Sequence, residues 1–369
     1  MKYYIIAGEA SGDLHGANLL RELKLLDKEA MTRCWGGDLM QEQGADLVKH
    51  YRDLAFMGFV EVLSNLKTIL NNIAFCKEDI LAFQPDVLIL IDYPGFNLRI
   101  AAFAKANGIR VFYYISPQIW AWKQSRVHKI KACVERMFVI LPFEQEFYSR
   151  FNYKVDFVGH PLLDAIAQYQ LKTKQINTKA KKPIILLLPG SRKQEVMQSL
   201  PLMMSQIDKF PEYQFVLAAA PSLPKEFLDQ WTNNSDIQIC YGQTYDLMLE
   251  AKAAMVTSGT ATLETALFRV PEVVCYKGSK VSYWIARQLV KVKYISLVNL
   301  IMDKLVVKEL IQHEFTAANL HLELSKLLHD QNYQAAMQKN YEELIHQLGG
   351  AGASAKTARL MLNYLKDKP

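Results

Sequence analysis

Short apolar runs alternate along this chain with longer segments whose apolar positions recur every three to four residues. An unbroken apolar run of four to seven residues reads as a strand buried on both faces, because strand side chains point alternately to either side. Apolar residues at helical spacing instead form one stripe for a core to cover. In the first half the runs predict strands at Tyr3–Ala7, Val87–Asp92, Val111–Ser116, Met137–Leu141 and Val155–Val158. Helical patterns lie between them at Leu14–Leu26 and at Phe59–Phe83, the latter apolar at positions 59, 62, 63, 66, 69, 70 and 73. The polar, lysine-rich stretch Gln168–Lys182, with Pro183 after it, reads as a linker. A second series follows, with strands at Ile184–Leu188, Gln214–Ala219, Ile237–Cys240, Ala254–Thr257 and Val273–Tyr276, then a mostly helical tail from Lys304 to Lys366. Strand and helix alternating in each half predict an α/β fold of two Rossmann-like domains with parallel sheets facing across a cleft. Their expected spans are 1–167 and 183–340, with 341–369 as a helical end.

Composition narrows the class. A chain of 369 residues, half hydrophobic and 22% charged, suits two globular domains. No run approaches the ~18 apolar residues of a membrane span. The first residues read as a strand and meet Glu9 before a signal-peptide core could form, which predicts a cytoplasmic protein. Five cysteines at 34, 76, 133, 240 and 275 form no C-x-x-C pair, so neither a disulfide framework nor a zinc site is expected. The net charge of +6 suits an anionic substrate or a bilayer surface and gives nucleic acid little support.

Ionisable and small residues cluster where strands are expected to end. Gly8-Glu9-Ala10-Ser11-Gly12-Asp13-Leu14-His15 opens a helix after the first strand and offers Glu9, Ser11 and His15 to a polar ligand, or else simply caps the helix. Asp92 ends a buried strand before Pro94-Gly95 and Asn97, either as a helix cap or as a base whose pKa partial desolvation raises. Trp120 and Trp122 share one loop, ahead of Arg126, Lys129 and Lys131, so at least one is expected to stack on a sugar or acyl chain. Gly190-Ser191-Arg192 joins a strand to a helix that begins with an arginine, which suits a phosphate. Ser258-Gly259-Thr260 opens another helix with small hydroxylated residues, and Glu264 follows one turn later. Two such turns in one domain favour a nucleotide. With neither D-x-D nor H-E-x-x-H present, no metal is expected, and a leaving diphosphate falls to Arg192 and helix dipoles.

In order, the segments GEASGDLHGA, WGGDLM, MGFVEVL, SPQIWAWKQSR, LPFE, FVGHP, LLPGSRKQEV, SGTATLE and KELIQ make the chain resemble the lipid-A-disaccharide synthases, glycosyltransferases of GT-B architecture. The resemblance spans nearly the whole chain. It implies transfer of a 2,3-diacylglucosaminyl group from UDP to 2,3-diacylglucosamine 1-phosphate with inversion, giving lipid A disaccharide 1-phosphate and UDP. The N-terminal domain would hold the acyl-sugar acceptor, the C-terminal one UDP, and the last helix would return to the first domain. Asp92, with Glu9 as the alternative, would be the base, and Arg192 with Ser258–Thr260 would stabilise the diphosphate. Glu264 would accept from ribose hydroxyls, and Asn299, Glu309 and Gln312 stand where the family pattern has polar groups. Val298 replaces a family proline, and Met302-Asp303-Lys304 departs from a small residue and glycine before a basic one. No cofactor is implied. Acylated substrates imply a peripheral enzyme at the inner membrane face, with the Phe59–Phe83 stripe, Lys67, Lys123, Arg126 and Lys129 as candidate contacts, and they leave a homodimer open. A UDP-sugar epimerase and a non-catalytic lipid or nucleotide binder are the alternatives.

Overall fold

The computed structural model describes residues 1–54, 66–172, 182–231, 237–278 and 292–367, and at Leu66 and Lys172 the backbone alone. Phe59, Val62 and Leu63 of the expected stripe lie outside the described residues, as does most of the expected linker. The chain divides into two compact units, Met1–Gln168 with Leu348–Pro369, and Tyr169–Gln347.

In the first unit, β1 (Lys2–Ala7), β2 (Met31–Gly36), β3 (Asp46–His50), β4 (Val87–Ile91), β5 (Arg110–Tyr114), β6 (Arg136–Val139) and β7 (Asp156–Phe157) form one parallel sheet. Its order is β3-β2-β1-β4-β5-β6-β7. Val87–Ile91 is wholly buried, as expected of a central parallel strand covered on both faces. The pattern had not marked β2 and β3, whose Arg33, Asp46, Lys49 and His50 interrupt their apolar residues. Tertiary partners absorb that polarity: Arg33 pairs with the buried Asp79 at 2.9 Å, and Asp79 also accepts from Tyr4 Oη at 2.6 Å. Helix Leu66–Phe83 buries Ile73, whereas Leu70 of the same expected stripe is 56% exposed.

The second unit carries β8 (Ile184–Leu188), β9 (Gln214–Ala219), β10 (Gln238–Tyr241), β11 (Ala251–Thr257), β12 (Glu272–Tyr276) and β13 (Lys308–Ile311), in the order β10-β9-β8-β11-β12-β13, again all parallel. Strand β13 lies at the start of the tail that is expected, and found, to be mostly helical. Lys308–Ile311 pairs with β12, with Glu309 opposite Val274, and only Ala317–His329, Gln331–Gln347 and Ala353–Lys366 are helical after it.

The last helix, Ala353–Lys366, packs along helix Ala10–Leu26 within the first unit. Backbone groups tie it there. Asp164 accepts from Gly352 N at 2.5 Å and Ser354 N at 2.7 Å, and Arg110 donates to Tyr364 O at 2.6 Å.

Each sheet reverses its order once, between β1 and β4 in the first unit and between β8 and β11 in the second. Ligands of open parallel sheets bind beyond the carboxyl ends of the strands at such a reversal, where neighbouring connections diverge to opposite faces. The loops leaving those four strands carry Gly8–Glu9, Asp92–Tyr93, Gly190–Arg192 and Ser258–Gly259. No helix among the described residues is long and apolar enough to cross a membrane.

Candidate active site

At the first reversal, β1 runs into Gly8 and Glu9, the latter at the N-cap of helix Ala10–Leu26, and β4 runs into Asp92. Asp92 and Tyr93 both adopt left-handed backbone, at φ 42° and 48°, immediately before helix Pro94–Ala106. Two successive non-glycine residues in that region store strain that their surroundings must hold. The Asp92 carbonyl accepts from Asn97 Nδ2 at 2.7 Å and from the Tyr113 hydroxyl, while Asp92 N donates to Tyr114 O at 3.3 Å. The Tyr93 ring lies against Gly8, where a Cβ would come within 2.4 Å of it, so only glycine fits.

This packing sets the chemistry of Asp92. Burial, and then the charge of Glu9, push its carboxyl up from 3.8 to about 7, against a smaller downward pull from the Tyr93 backbone N–H. A carboxyl that changes charge near neutral pH can take a proton from a hydroxyl. Asp92 and Glu9 are thus electrostatically joined at the carboxyl edge of the sheet.

Several residues expected around them do other work. Asn97 is fully buried, and its Nδ2 binds the Ile91 and Asp92 carbonyls, so it positions the strand end. His15 lies on the buried side of its helix, 6% exposed, and burial pushes it down to about 4, with Asp164 pulling the other way. Asp13 accepts from Gly37 N, Leu39 N and Met40 N at 2.8–3.1 Å and so caps helix Asp38–Glu42. Ser11 is exposed at the helix start. Trp120 is buried against the edge of Phe143, ring centroids 4.9 Å apart, whereas Trp122 is 41% exposed.

In the second unit, Gly190 follows β8 at φ 110°, and a Cβ there would stand 2.5 Å from Glu195 Oε2. That oxygen accepts from Ser191 N at 3.2 Å and Arg192 N at 3.3 Å, while Arg192 Nη1 meets Glu195 Oε1 at 3.0 Å. The turn therefore folds around a carboxylate of its own chain. Gly190 and the Ser191 amide serve that internal anion, and the Arg192 side chain, 66% exposed, remains at the surface.

At β11, Gly259 and Thr260 are exposed at the start of helix Thr260–Leu267, whose first amides have no partner within the helix. Ser258 Oγ donates to Ile295 O at 3.0 Å. Behind it, Glu309 accepts from Ile295 N, Ser296 N and Asn299 Nδ2 at 2.9–3.2 Å. Asn299 spends every bonding position internally. Its Nδ2 also donates to Val307 O at 2.8 Å, and its Oδ1 accepts from Val306 N at 2.8 Å and Val307 N at 3.0 Å. Gln312, with its amide oxygen turned to the Gly278 N–H, bonds both polar backbone groups of that residue at 3.2–3.3 Å. Asn299, Glu309 and Gln312 thus hold backbone segments, the first two beside Ser258. Glu264 accepts from Tyr245 Oη at 2.8 Å; burial raises its carboxyl and that hydrogen bond opposes the rise.

The residue pattern had not singled out Tyr93, Tyr245 or Glu195. Only Glu195 left a signal, an acidic residue three positions after Arg192 that completes a capping box. Among the described residues no three of His, Cys, Asp and Glu gather as a metal would need.

Among solved structures, UDP-GlcNAc 2-epimerase from Neisseria meningitidis, solved bound to UDP-GlcNAc, aligns over 98% of this chain and 100% of its own with a TM-score of 0.69. A glycotransferase of kitacinnamycin aligns over 99% of both chains at 0.68. Both are 14% identical to this chain, so the likeness is one of fold, the two-sheet architecture of GT-B glycosyltransferases and these epimerases. Sequence is more specific. Lipid-A-disaccharide synthase of Trichlorobacter lovleyi is 40% identical over 98% of this chain and 97% of its own length, and that of Coxiella burnetii is 36% identical over 98% of each. The family model for lipid-A-disaccharide synthetase matches residues 3–363, and the chain belongs to that family.

Proposed function

We propose that the chain transfers a 2,3-diacylglucosaminyl group from UDP to the 6-hydroxyl of 2,3-diacylglucosamine 1-phosphate, with Asp92 as the base. The acceptor oxygen attacks the donor's anomeric carbon as the bond from that carbon to the diphosphate breaks, and the hydroxyl proton passes to Asp92. UDP leaves with the bonding electron pair, and the anomeric centre inverts. The family match over residues 3–363 carries the reading of the reaction, and the Asp92 carboxyl, raised to about 7 by burial and by Glu9 at the reversal of the first sheet, supports its role as the base. An ordinary helix cap has a carboxylate well below that value.

In this reading the first unit handles the acceptor and the second the nucleotide. Arg192 exchanges its exposed pair with Glu195, the kind of contact worth under about 1 kcal/mol, for the charge growing on the departing diphosphate. The open amides of helix Thr260–Leu267 add their dipole, and Glu264, oriented by Tyr245, accepts from ribose hydroxyls. Acylated substrates call for an enzyme working peripherally at the inner membrane face, and the exposed Leu70 supports such contact.

Radiolabelled UDP-diacylglucosamine, incubated with and without the acceptor sugar phosphate, tests the reading. Labelled disaccharide and UDP formed only with acceptor is the expected result. Isomerisation of the free UDP-sugar without acceptor would replace it with the epimerase reading.

A further inference from the structure

We infer that the segment from Gln118 to Lys131 docks the first unit onto anionic phospholipid headgroups, with Trp122 as its apolar foot and Lys123, Arg126 and Lys129 as its charge contacts. The inference rests on the proposed use of acylated substrates and gives that reading a surface. It begins with a contrast inside one loop. Trp120 is buried on Phe143, and Ser116 Oγ shares a 2.7 Å hydrogen bond with Tyr148 Oη, so helix Pro142–Ser149 grips the base of the loop. Glu144 of that helix, 1% exposed, accepts from Ile140 N and Leu141 N at 3.0–3.2 Å and fixes the helix start. Two residues beyond Trp120, Trp122 stands 41% exposed on this anchored base. An indole that is apolar over most of its surface yet carries one N–H is the side chain best suited to the headgroup layer.

Charge points the same way. Lys123 Nζ lies 4.6 Å and Arg126 Cζ 5.5 Å from the Trp122 ring, so two cations gather on the exposed indole. From Ser116 to Val134 the sequence holds Lys123, Arg126, Lys129 and Lys131 and no acidic residue. Among the described residues none of Lys123, Arg126 and Lys129 makes an ion pair, although Arg110 and Arg150 nearby in sequence both do. Helix Arg126–Cys133 buries Val127 and Ile130 and leaves His128, Lys129 and Lys131 exposed. Arg126 sits in the first turn, where the helix dipole disfavours a cation. An anionic surface would relieve all of these charges together.

Position gives the surface a purpose. The loop leaves the carboxyl end of β5, the strand beside β4, and Tyr113 and Tyr114 of β5 bond the Asp92 backbone. Docking there brings the bilayer to the edge of the sheet that carries Asp92, so an acceptor sugar can reach the base while its acyl chains stay in lipid.

Co-sedimentation with phosphatidylcholine vesicles, with and without about a third phosphatidylglycerol, tests the inference on the full chain. Each basic side chain near an anionic leaflet contributes about five-fold to partitioning, so Lys123→Gln with Lys129→Gln should weaken binding to the anionic vesicles about 25-fold at low salt. Transfer between detergent-dispersed substrates should be unchanged in that variant. Tryptophan emission should shift to the blue on vesicle binding, and the shift should diminish in Trp122→Phe. Anionic-vesicle binding equal to wild type in the lysine variant, or an undiminished emission shift in Trp122→Phe, overturns the inference. A raised acceptor KM in detergent with vesicle binding intact also overturns it, by assigning the basic face to the sugar phosphate. If the wild type ignores both vesicle types, docking fails, while disaccharide formation in detergent still decides the proposed reaction.

Discussion

Asp92 and Glu9 can be separated by measuring kcat/KM against pH for the wild type, Asp92→Asn and Glu9→Gln. The rise from 3.8 to about 7 means that ionising Asp92 in the folded chain costs about 4 kcal/mol more than in a free carboxyl. A base must be ionised to act, so wild-type kcat/KM should fall about ten-fold per unit below pH 7. Burial is the larger cause of the rise and Glu9 the second, so Glu9→Gln should move this acid limb to lower pH without returning it to 3.8. Asn in place of Asp92 keeps a residue that tolerates φ 42° but cannot accept the proton, and kcat should drop about 10²–10⁴-fold.

Stability must move the other way. Because the folded state holds the Asp92 proton more tightly than the unfolded chain does, its contribution is full below about pH 4 and is lost as pH rises through about 7. Asp92→Asn should therefore be more stable than wild type at pH 8 by urea unfolding, with the gap closing toward pH 4. An Asp92→Asn enzyme with wild-type turnover, or a Glu9→Gln limb that stays in place or moves upward, would refute the assignment.

Three further outcomes follow from local geometry. Gly8→Ala would drive a Cβ into the Tyr93 ring, costing roughly 1–3 kcal/mol and displacing the residue next to Asp92, so thermal unfolding and kcat should both fall. Asn299→Leu strips the bonds that hold Val306, Val307 and Glu309 and strands buried groups, so chemical denaturation should show a loss of about 2–4 kcal/mol even without substrate. Arg192→Ala should lower kcat roughly 100-fold while the melting temperature barely changes, because the pair it loses is exposed; a folded variant with near-normal turnover would remove Arg192 from the diphosphate.

How far the sequence could be read depended on where each signal resides. β1, β4, β8 and β11 are apolar runs buried on both faces, and that pattern is local, so both sheet centres and the loops beyond them can be located from the order of apolar residues along the chain. β2 and β13 are hidden in the pattern because their polar residues find partners outside the strand: Arg33 pairs with Asp79, and Glu309 accepts from the backbone N–H groups of Ile295 and Ser296. The same limit governs the site. Asp92, Asn97, Asn299 and Glu309 all read as polar groups near a turn, and nothing local tells a side chain aimed at solvent from one aimed at its own backbone. Only the fold makes that distinction, and it turns Asn97, Asn299 and Glu309 inward. The two kinds of residue then depend on each other. Asn97 and Tyr113 bind the Asp92 carbonyl and hold it in left-handed backbone, where burial and Glu9 set its proton affinity. A substitution at either should therefore be felt in the pH dependence of the reaction, although neither side chain needs to touch a substrate.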